Sequence, residues 1–256
     1  MSALVERHWD YSLHAKFYEF RPNYHDAAID LLVHHVGAKA SPDFKVADIG
    51  AGTGNLTIML LDRGLTVTSV EPNDDMRNIG IERTTGKKVT WVKANGTTTT
   101  LPDASADWVT FGSSFNVVDR PLALKETHRL LRAGGHFSCM WNHRNLADPI
   151  QNKAEDIIVS MVPAYDRGVR RQDQRPMIEE HANLFGKILY LESDFEVPRT
   201  IDQYVNAWES VKNPHWDLAT PEGRKLFGQI TDRMRAELPK TFSIRYTTRA
   251  WTAQKV

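Results

Sequence analysis

Gly50, Gly52 and Gly54 place three glycines in five positions of the run "VADIGAGTGNLT", between an apolar stretch and a helix-like one. Glycine at that density gives up side chains and costs chain entropy, which suits a backbone that something must approach closely. A turn between a parallel strand and a helix lies at the carboxyl edge of a sheet, where open α/β folds bind ligands. The helix amino terminus adds N–H donors and a partial positive charge there. Glu71 ends the next alternating run, "TVTSVE", and an acid at the tip of a second strand can accept hydrogen bonds from both hydroxyls of a ribose. Asn95 in "KANGTTTT" ends a third strand beside the same crevice, with an amide able to face an adenine edge. After a fourth strand comes "FGSSFNVVD", whose backbone could hold an amino-acid end of the ligand. Spacing separates the ligand classes. Asn55 stands where a dinucleotide fingerprint, G-x-G-x-x-G, has its third glycine, and no lysine follows the glycines as in a Walker loop.

The elements that must position these residues alternate in type. "HDAAIDLLVHHVGA" has Ala28, Leu31, Leu32 and Val36 at helical spacing, and "SPDF" breaks it before the strand "KVADIG". "NLTIMLLDRGL" reads as a helix with Gly64 at its C-terminal cap, and "PNDDMRNIGIERT" as a helix with Pro72 near its start. "KVTWVKA" and "ADWVTFG" are the third and fourth strands, "PLALKETHRLLRAGG" a helix closed by glycine, and "HFSCMWN" the fifth strand. Strands alternating with helices argue a parallel sheet covered on both faces. Beyond Asn142 come loop and helix, a late strand "KILYLESDFEVP", two helical stretches and a final strand "FSIRYTTRAWTA". We read a mostly parallel seven-stranded α/β sheet with an antiparallel last strand and a helical cap over the carboxyl ends. Residues 1–256 are taken as one domain, with an N-terminal lid 1–43, a core 44–142, cap insertions 143–186 and 198–240, and edge strands 187–197 and 242–254.

Lys plus Arg and Asp plus Glu both number 32, so the formal net charge is zero and the basic excess of a nucleic-acid binder is missing. A single cysteine, Cys139, leaves no disulfide framework and no Cys-x-x-Cys metal site. The charged, aromatic start "MSALVERHWDYS" is not a secretory signal, and no apolar run reaches membrane-spanning length. The expectation is a soluble cytoplasmic protein with no nucleic-acid or membrane partner.

Taken in order, "VADIGAGTGNLT", "SVEPNDDM", "KANGTTTTLPDASADWV" and "HRLLRAGGHF" resemble the successive motifs of class I S-adenosylmethionine-dependent methyltransferases, over Phe17 to Trp141. The resemblance implies a Rossmann-like fold, S-adenosyl-L-methionine as cofactor with S-adenosyl-L-homocysteine as product, and no metal. It implies that Gly50, Gly52 and Gly54 carry the cofactor, that Glu71 holds its ribose, and that Met76 or Pro72 packs on its adenine. It also implies that Asn95, through its carbonyl, and Gly96 bind the adenine edge, and that Asp48, Ala51 and Ser113 belong to the same site. Tyr18 and Arg21 in "FYEFRPNY" resemble a "Y…RP.Y" element folded over the cofactor's carboxylate, for which a guanidinium is bidentate. Where relatives of the trans-aconitate type have "HWFD", this chain has "NVVD", Asn116 to Asp119, so that subgroup's histidine is absent.

The reaction so implied is in-line attack by an acceptor nitrogen or oxygen on the sulfonium methyl, with alignment and exclusion of water as the protein's main contributions. His8, His14, Tyr11, Asn142 and His143 are the candidate proton-accepting residues at the mouth. Trp9, Phe115, Asn116, Trp141 and Trp208 are assigned to the acceptor side, as parts of an aromatic box for a flat molecule whose faces also suit a sulfonium. The expected acceptor is a small, heteroaromatic metabolite, as in toxoflavin-type azapteridine N-methylation, bound by a monomer or weak homodimer. The alternatives are a carboxylate acceptor of the trans-aconitate kind, a nicotinamide-dependent oxidoreductase, and a non-catalytic cofactor-binding regulator. His34 and His35 point different ways from a helix and have no third ligand at metal spacing. "NPHW", Asn213 to Trp216, lacks the second proline of the amino-methylating nucleic-acid tetrad and falls in the cap. "DRGVRRQDQR" reads as a solvated loop balanced by nearby acids.

Overall fold

In the computed structural model, which describes residues 11–165 and 172–256, the glycine loop sits where two layers of helices flank the middle of a sheet. The strands are β1 (Lys45–Ile49), β2 (Thr66–Val70), β3 (Val89–Val92), β4 (Ala106–Gly112), β5 (Leu131–Arg144), β6 (Phe185–Thr200) and β7 (Thr241–Lys255). They form one sheet in the order β3-β2-β1-β4-β5-β7-β6. β1 pairs in parallel with β2 and β4, β2 with β3, and β4 with β5, while β7 runs antiparallel to both β5 and β6. The seven strands and the antiparallel last one therefore agree with the sequence reading. Helices among the described residues are α1 (Asp26–His35), α2 (Asn55–Asp62), α3 (Asp74–Arg83), α4 (Arg120–Leu130), α5 (Pro149–Met161), α6 (Arg175–Glu179), α7 (Ile201–Glu209) and α8 (Pro221–Glu237). None is long and apolar enough to cross a membrane.

Side chains alternate across a strand, so the central strands feed two cores. Val46, Trp108 and Met140 face α1 and α2 through Ile29, Leu32, Leu56 and Leu60. Their chain neighbours Ala47, Val109 and Cys139 face Ala123 and Leu124 of α4 on the other side. A third cluster joins α5, α7 and α8 to Ile244 and Tyr246 of β7, through Ile158, Tyr204, Trp208, Trp216, Phe227 and Met234. The cap thus has its own core above the sheet.

Three local expectations are corrected. α1 is buried through Ala28, Ile29, Leu32 and Val33, whereas Leu31 is 55% exposed. The helix is turned so that adjacent pairs one turn apart meet the sheet. α4 ends at Leu130 rather than at a glycine, because Lys255 Nζ donates to the carbonyls of His128 and Leu131, both at 2.7 Å. Gly134 and Gly135 lie inside β5 instead, where pairing with β4 shifts between Ala106↔Leu131 and Trp108↔His136. Pro72 precedes α3 altogether, whose cap is Asn73 accepting from the Met76 N–H at 3.0 Å.

Candidate functional site

The β1–α2 loop lies at the carboxyl edge of the sheet with Gly50, Gly52 and Gly54 all left-handed, at φ 67°, 58° and 84°. A Cβ on Gly50 would stand 2.5 Å from Ser114 Cβ, and Ser114 Oγ in turn donates to the Ile49 carbonyl at 2.6 Å. The positive φ angles and this close approach are what the glycines are for locally. The N–H groups of Gly50 and Ala51 donate to the Val70 carbonyl at 2.8 and 3.1 Å, tying the loop to the end of β2. Gly54 opens α2 with no side-chain cap and no acid in the first turn, so that helix end keeps its electropositive character.

Glu71 follows β2 directly and is 7% exposed. Its Oε2 accepts from the Gly52 N–H and its Oε1 from the Asn73 N–H, both at 2.9 Å. Each oxygen retains capacity for a second donor. Burial raises its pKa, opposed by those two N–H groups and by Arg77. Below the loop, Asp48 is fully buried and takes the hydroxyls of Thr57 at 2.7 Å and Thr110 at 3.0 Å. Desolvation nevertheless pushes its pKa up to about 6. Met76 is buried and its Cε lies 3.1 Å from where a Gly52 Cβ would be, so its thioether end covers the middle glycine. Pro72 is exposed beside it.

Asn95 lies three residues beyond the end of β3 rather than at the strand end, and its carbonyl is committed. Oδ1 accepts from the Thr97 N–H and Oγ1, both at 2.9 Å, and from the Thr98 N–H at 2.8 Å. The adenine-facing carbonyl expected from sequence is therefore closed into a side-chain turn, which leaves the Nδ2 donor. Gly96 is buried behind it, and a Cβ there would stand 3.1 Å from both Ile49 and Val118. Ser113 follows β4 at φ 61°, its N–H donating to the Met140 carbonyl at 2.8 Å and its hydroxyl 2.9 Å from Tyr24 Oη.

The N-terminal segment crosses this edge. Tyr18 stacks on the Arg21 guanidinium at 3.9 Å. Arg21 donates through Nε to Ser210 Oγ at 2.9 Å and through Nη2 to the Ser210 carbonyl at 2.6 Å. It therefore latches the segment to the end of α7, where the expectation put a cofactor carboxylate. Asn142 is also structural: Nδ2 donates to the carbonyls of Pro22 and Asn23 at 3.1 and 2.9 Å, and Oδ1 accepts from Thr248 Oγ1 at 2.6 Å. With both ends of its amide engaged and no titratable proton, it is no general base. His143 is buried on β5 opposite Thr247. Tyr11 is half-buried, its ring edge-on to His14 and Tyr18. His8 and Trp9 lie outside the described residues, as do positions 166–171 of the arginine-rich stretch.

Three aromatics expected on the acceptor side are core instead. Phe115 is fully buried against Phe111 and Phe137. Trp141 is 3% exposed against Trp251, its Nε1 donating to Asn116 Oδ1 at 3.0 Å. Trp208 is packed on Tyr204 and Trp216 inside the cap. Large rings fill the space between layers, so they present no open wall; Asn116 alone of the described four is exposed. Two contributors went unassigned in the sequence. Tyr24 sits within "FYEFRPNY" and could have been taken with that motif, whereas Arg83, donating from Nη1 to the Thr53 carbonyl and to Asn55 Oδ1 at 2.7 Å each, carries no local signal. Among the described residues no three His, Cys, Asp or Glu side chains group as metal ligands.

A bare, electropositive backbone, a carboxylate with room for two hydroxyl donors and a thioether over the middle glycine suit a nucleoside held by its sugar. Residues 47–139 match the family described as a methyltransferase domain. An uncharacterized methyltransferase of Mycobacterium tuberculosis is 34% identical over 125 residues, 49% of this chain and 48% of that protein. A ubiquinone/menaquinone biosynthesis C-methyltransferase of Caulobacter vibrioides is 33% identical over 100 residues, covering 38% of this chain and 39% of its own length. The chain spans less than half the length of these curated relatives. In fold it is similar to the YcgJ protein of Bacillus subtilis, with a TM-score of 0.55 at 15% identity, covering 90% of this chain and 99% of that one. A protein of Anaeromyxobacter dehalogenans provisionally described as a type II methyltransferase gives 0.58 at 18% identity, over 91% and 97% of the two chains.

Proposed function

From the premise that residues 47–139 are a methyltransferase domain of the class I S-adenosylmethionine-dependent kind, we propose that the whole chain transfers a methyl group from S-adenosylmethionine to a small molecule. The observation that carries the reading is the junction of Gly52 and Glu71. The same carboxylate that fixes the left-handed loop is the one whose remaining lone pairs would receive the ribose hydroxyls. Gly50 to Gly54 would carry the amino-acid and sugar portions, Met76 the adenine face, and the Asn95 Nδ2 donor a ring nitrogen at the adenine edge. A donor at that position replaces the acceptor the resemblance implied, and it suits N1 or N3 of adenine rather than the exocyclic amine.

When bound, S-adenosylmethionine supplies a methyl already activated by its sulfonium. The residues of this chain then have three tasks: to align the acceptor, to exclude water and to hold a proton. The segment around Tyr18 to Tyr24 is the proposed cover. His143, at the carboxyl end of β5, is the proposed proton acceptor for an acceptor that reacts as its conjugate base. The similarity to named relatives spans less than half of each chain, and the family match covers residues 47–139, so a relative's substrate does not carry over. With Phe115, Trp141 and Trp208 in cores, the support for a flat heteroaromatic acceptor of toxoflavin type rests on the N-terminal aromatics alone. A small acceptor is the reading we hold.

Calorimetric titration with S-adenosylhomocysteine and with NAD tests the proposal. Binding of the sulfur nucleotide at micromolar concentration, without binding of NAD, is expected. Binding of NAD alone would replace the methyltransferase reading with the oxidoreductase one.

A further inference from the structure

An open groove of about 660 Å³ lies beside the glycine loop, between the N-terminal segment, the start of α2 and the far end of β6. Three guanidinium groups line it: Arg21, Arg83 and Arg199. None of the three belongs to an ion pair among the described residues. Arg21 is bonded to Ser210, Arg83 to the carbonyl and side chain of Thr53 and the side chain of Asn55, and all three partners are neutral. Three acids share the lining, and two of them are engaged elsewhere. Asp26 takes Arg63 at 2.9 Å, and Glu196 stands 3.8 Å from Arg245. Glu19 is the acid with no cation partner within ion-pair distance among the described residues, and Glu196 shares only a long, exposed contact with Arg245. The start of α2, uncapped by any side chain, adds its N–H groups to the same sign.

One wall is different in kind. His25 and Phe195 are stacked with ring centroids 5.3 Å apart and planes within 6°. His25 is held in that pose by Ser193 Oγ at 2.6 Å from Nδ1. A flat, partly apolar surface therefore shares the groove with cationic groups, in a space large enough for a small metabolite. The groove adjoins the shelf at two points: Asn55 and Arg83 join its lining to the glycine loop, and the buried Tyr24 stands between groove and shelf with its hydroxyl 2.9 Å from Ser113 Oγ.

We infer that this groove binds a small organic anion, a carboxylate or phosphate ester whose charged end lies among Arg83, Arg199 and Arg21 and whose apolar part lies on the His25–Phe195 wall. On the methyltransferase reading, on which this last step rests, that anion is the acceptor. Guanidinium forks suit both anion types, and their planar geometry favours bidentate contact.

The test uses the full chain, with citrate as the carboxylate probe and inorganic pyrophosphate as the phosphate probe, in calorimetric titrations at low salt. At least one probe is expected to bind at millimolar or tighter concentration. Arg199→Gln should weaken it at least fivefold, and Glu19→Gln should strengthen it about twofold, since removing the offsetting acid raises the local potential. Arg224→Gln, outside the groove, should leave binding unchanged. Binding of neither probe, or equal losses from Arg224→Gln and Arg199→Gln, would overturn the assignment. Arg199→Gln is used in preference to Arg83→Gln because Arg83 also braces the loop, and a retained melting midpoint confirms folding of each variant. S-adenosylhomocysteine is titrated in parallel: its failure to bind would remove the methyltransferase reading while leaving the anion result standing.

Discussion

Glu71 has two partners in the folded chain and, on the proposed function, gains two more from a ribose. Replacing it with Ala removes both sets, so the dissociation constant for S-adenosylhomocysteine should rise at least tenfold, which is about 1.4 kcal/mol. An unchanged constant in calorimetry would take the residue out of the site. Asp48 makes a different prediction because its environment opposes charge. Its carboxyl has a pKa of about 6 in the fold against 3.8 for the ordinary group. Between those values the native state holds a proton that the unfolded chain has lost, so stability falls as pH rises through that window. The contribution is fully present below pH 3.8 and is lost through about pH 6, a change of about 3 kcal/mol for a two-unit difference. Asp48→Asn should flatten that part of the pH dependence, read as the difference in unfolding midpoint between variant and parent from pH 4 to 7. The glycines and Glu71 were legible in the sequence because chain-adjacent geometry dictates them: a strand, a tight left-handed turn, a helix. Asn95 was legible only approximately in place and not in orientation. Its side chain is captured by Thr97 and Thr98, a competition between two turn-forming partners that pattern alone does not rank.

At the scale of elements, α3 connects packing to the site. Gly80 faces Trp91 of β3 so closely that a Cβ there would stand 2.2 Å from the indole, and the indole is fixed by its Nε1 donating to Thr84 Oγ1 at 2.9 Å. Gly80→Ala must push α3 outward, and α3 carries Met76 and begins at the Asn73 that grips Glu71. The expected loss is about 1–3 kcal/mol of stability, with weaker S-adenosylhomocysteine binding alongside it. Gly228, inside α8 with nothing within 4 Å of a Cβ, gives the opposite sign. Gly228→Ala should gain about 0.5–1 kcal/mol from helix propensity. Urea unfolding of the two variants checks both, and a loss in each would contradict the packing argument. All seven strands were readable from apolar runs and turn residues, and β4 has the bounds its run suggested. The end of α4 was not. A glycine pair normally announces such an end, but here Lys255, more than a hundred residues along the chain, supplies the hydrogen bonds. Lys255→Met should therefore cost about 1–2 kcal/mol, measured in the same unfolding series.

For the whole molecule, local pattern showed five strands of a mostly parallel sheet but not their order, which reverses after β3 so that β4 lies beside β1. It also left open how cap and N-terminal segment sit on the sheet, since those contacts join residues more than a hundred positions apart. Three sets of them recur at the crossing point. His14 Nδ1 lies 2.6 Å from the Glu209 carbonyl, Arg21 holds Ser210, and Asn142 holds the carbonyls of Pro22 and Asn23. The segment is thus fastened to α7 at one end and to β5 at the other, directly above the shelf. Asn142→Ala distinguishes fastening from chemistry. The two freed carbonyls should loosen the chain around residues 21–25, seen as faster amide hydrogen exchange there, while Gly50 to Thr57 stay protected. S-adenosylhomocysteine binding should weaken several-fold, because the cover closes less often. In a methyl-transfer assay the KM should rise with the shape of the pH–rate profile preserved. A collapse of kcat by several orders of magnitude, with a titration lost from that profile, would instead make Asn142 part of the proton path. Its committed amide speaks against that outcome: a group whose donor and acceptor are both engaged in the fold is held there to position the chain.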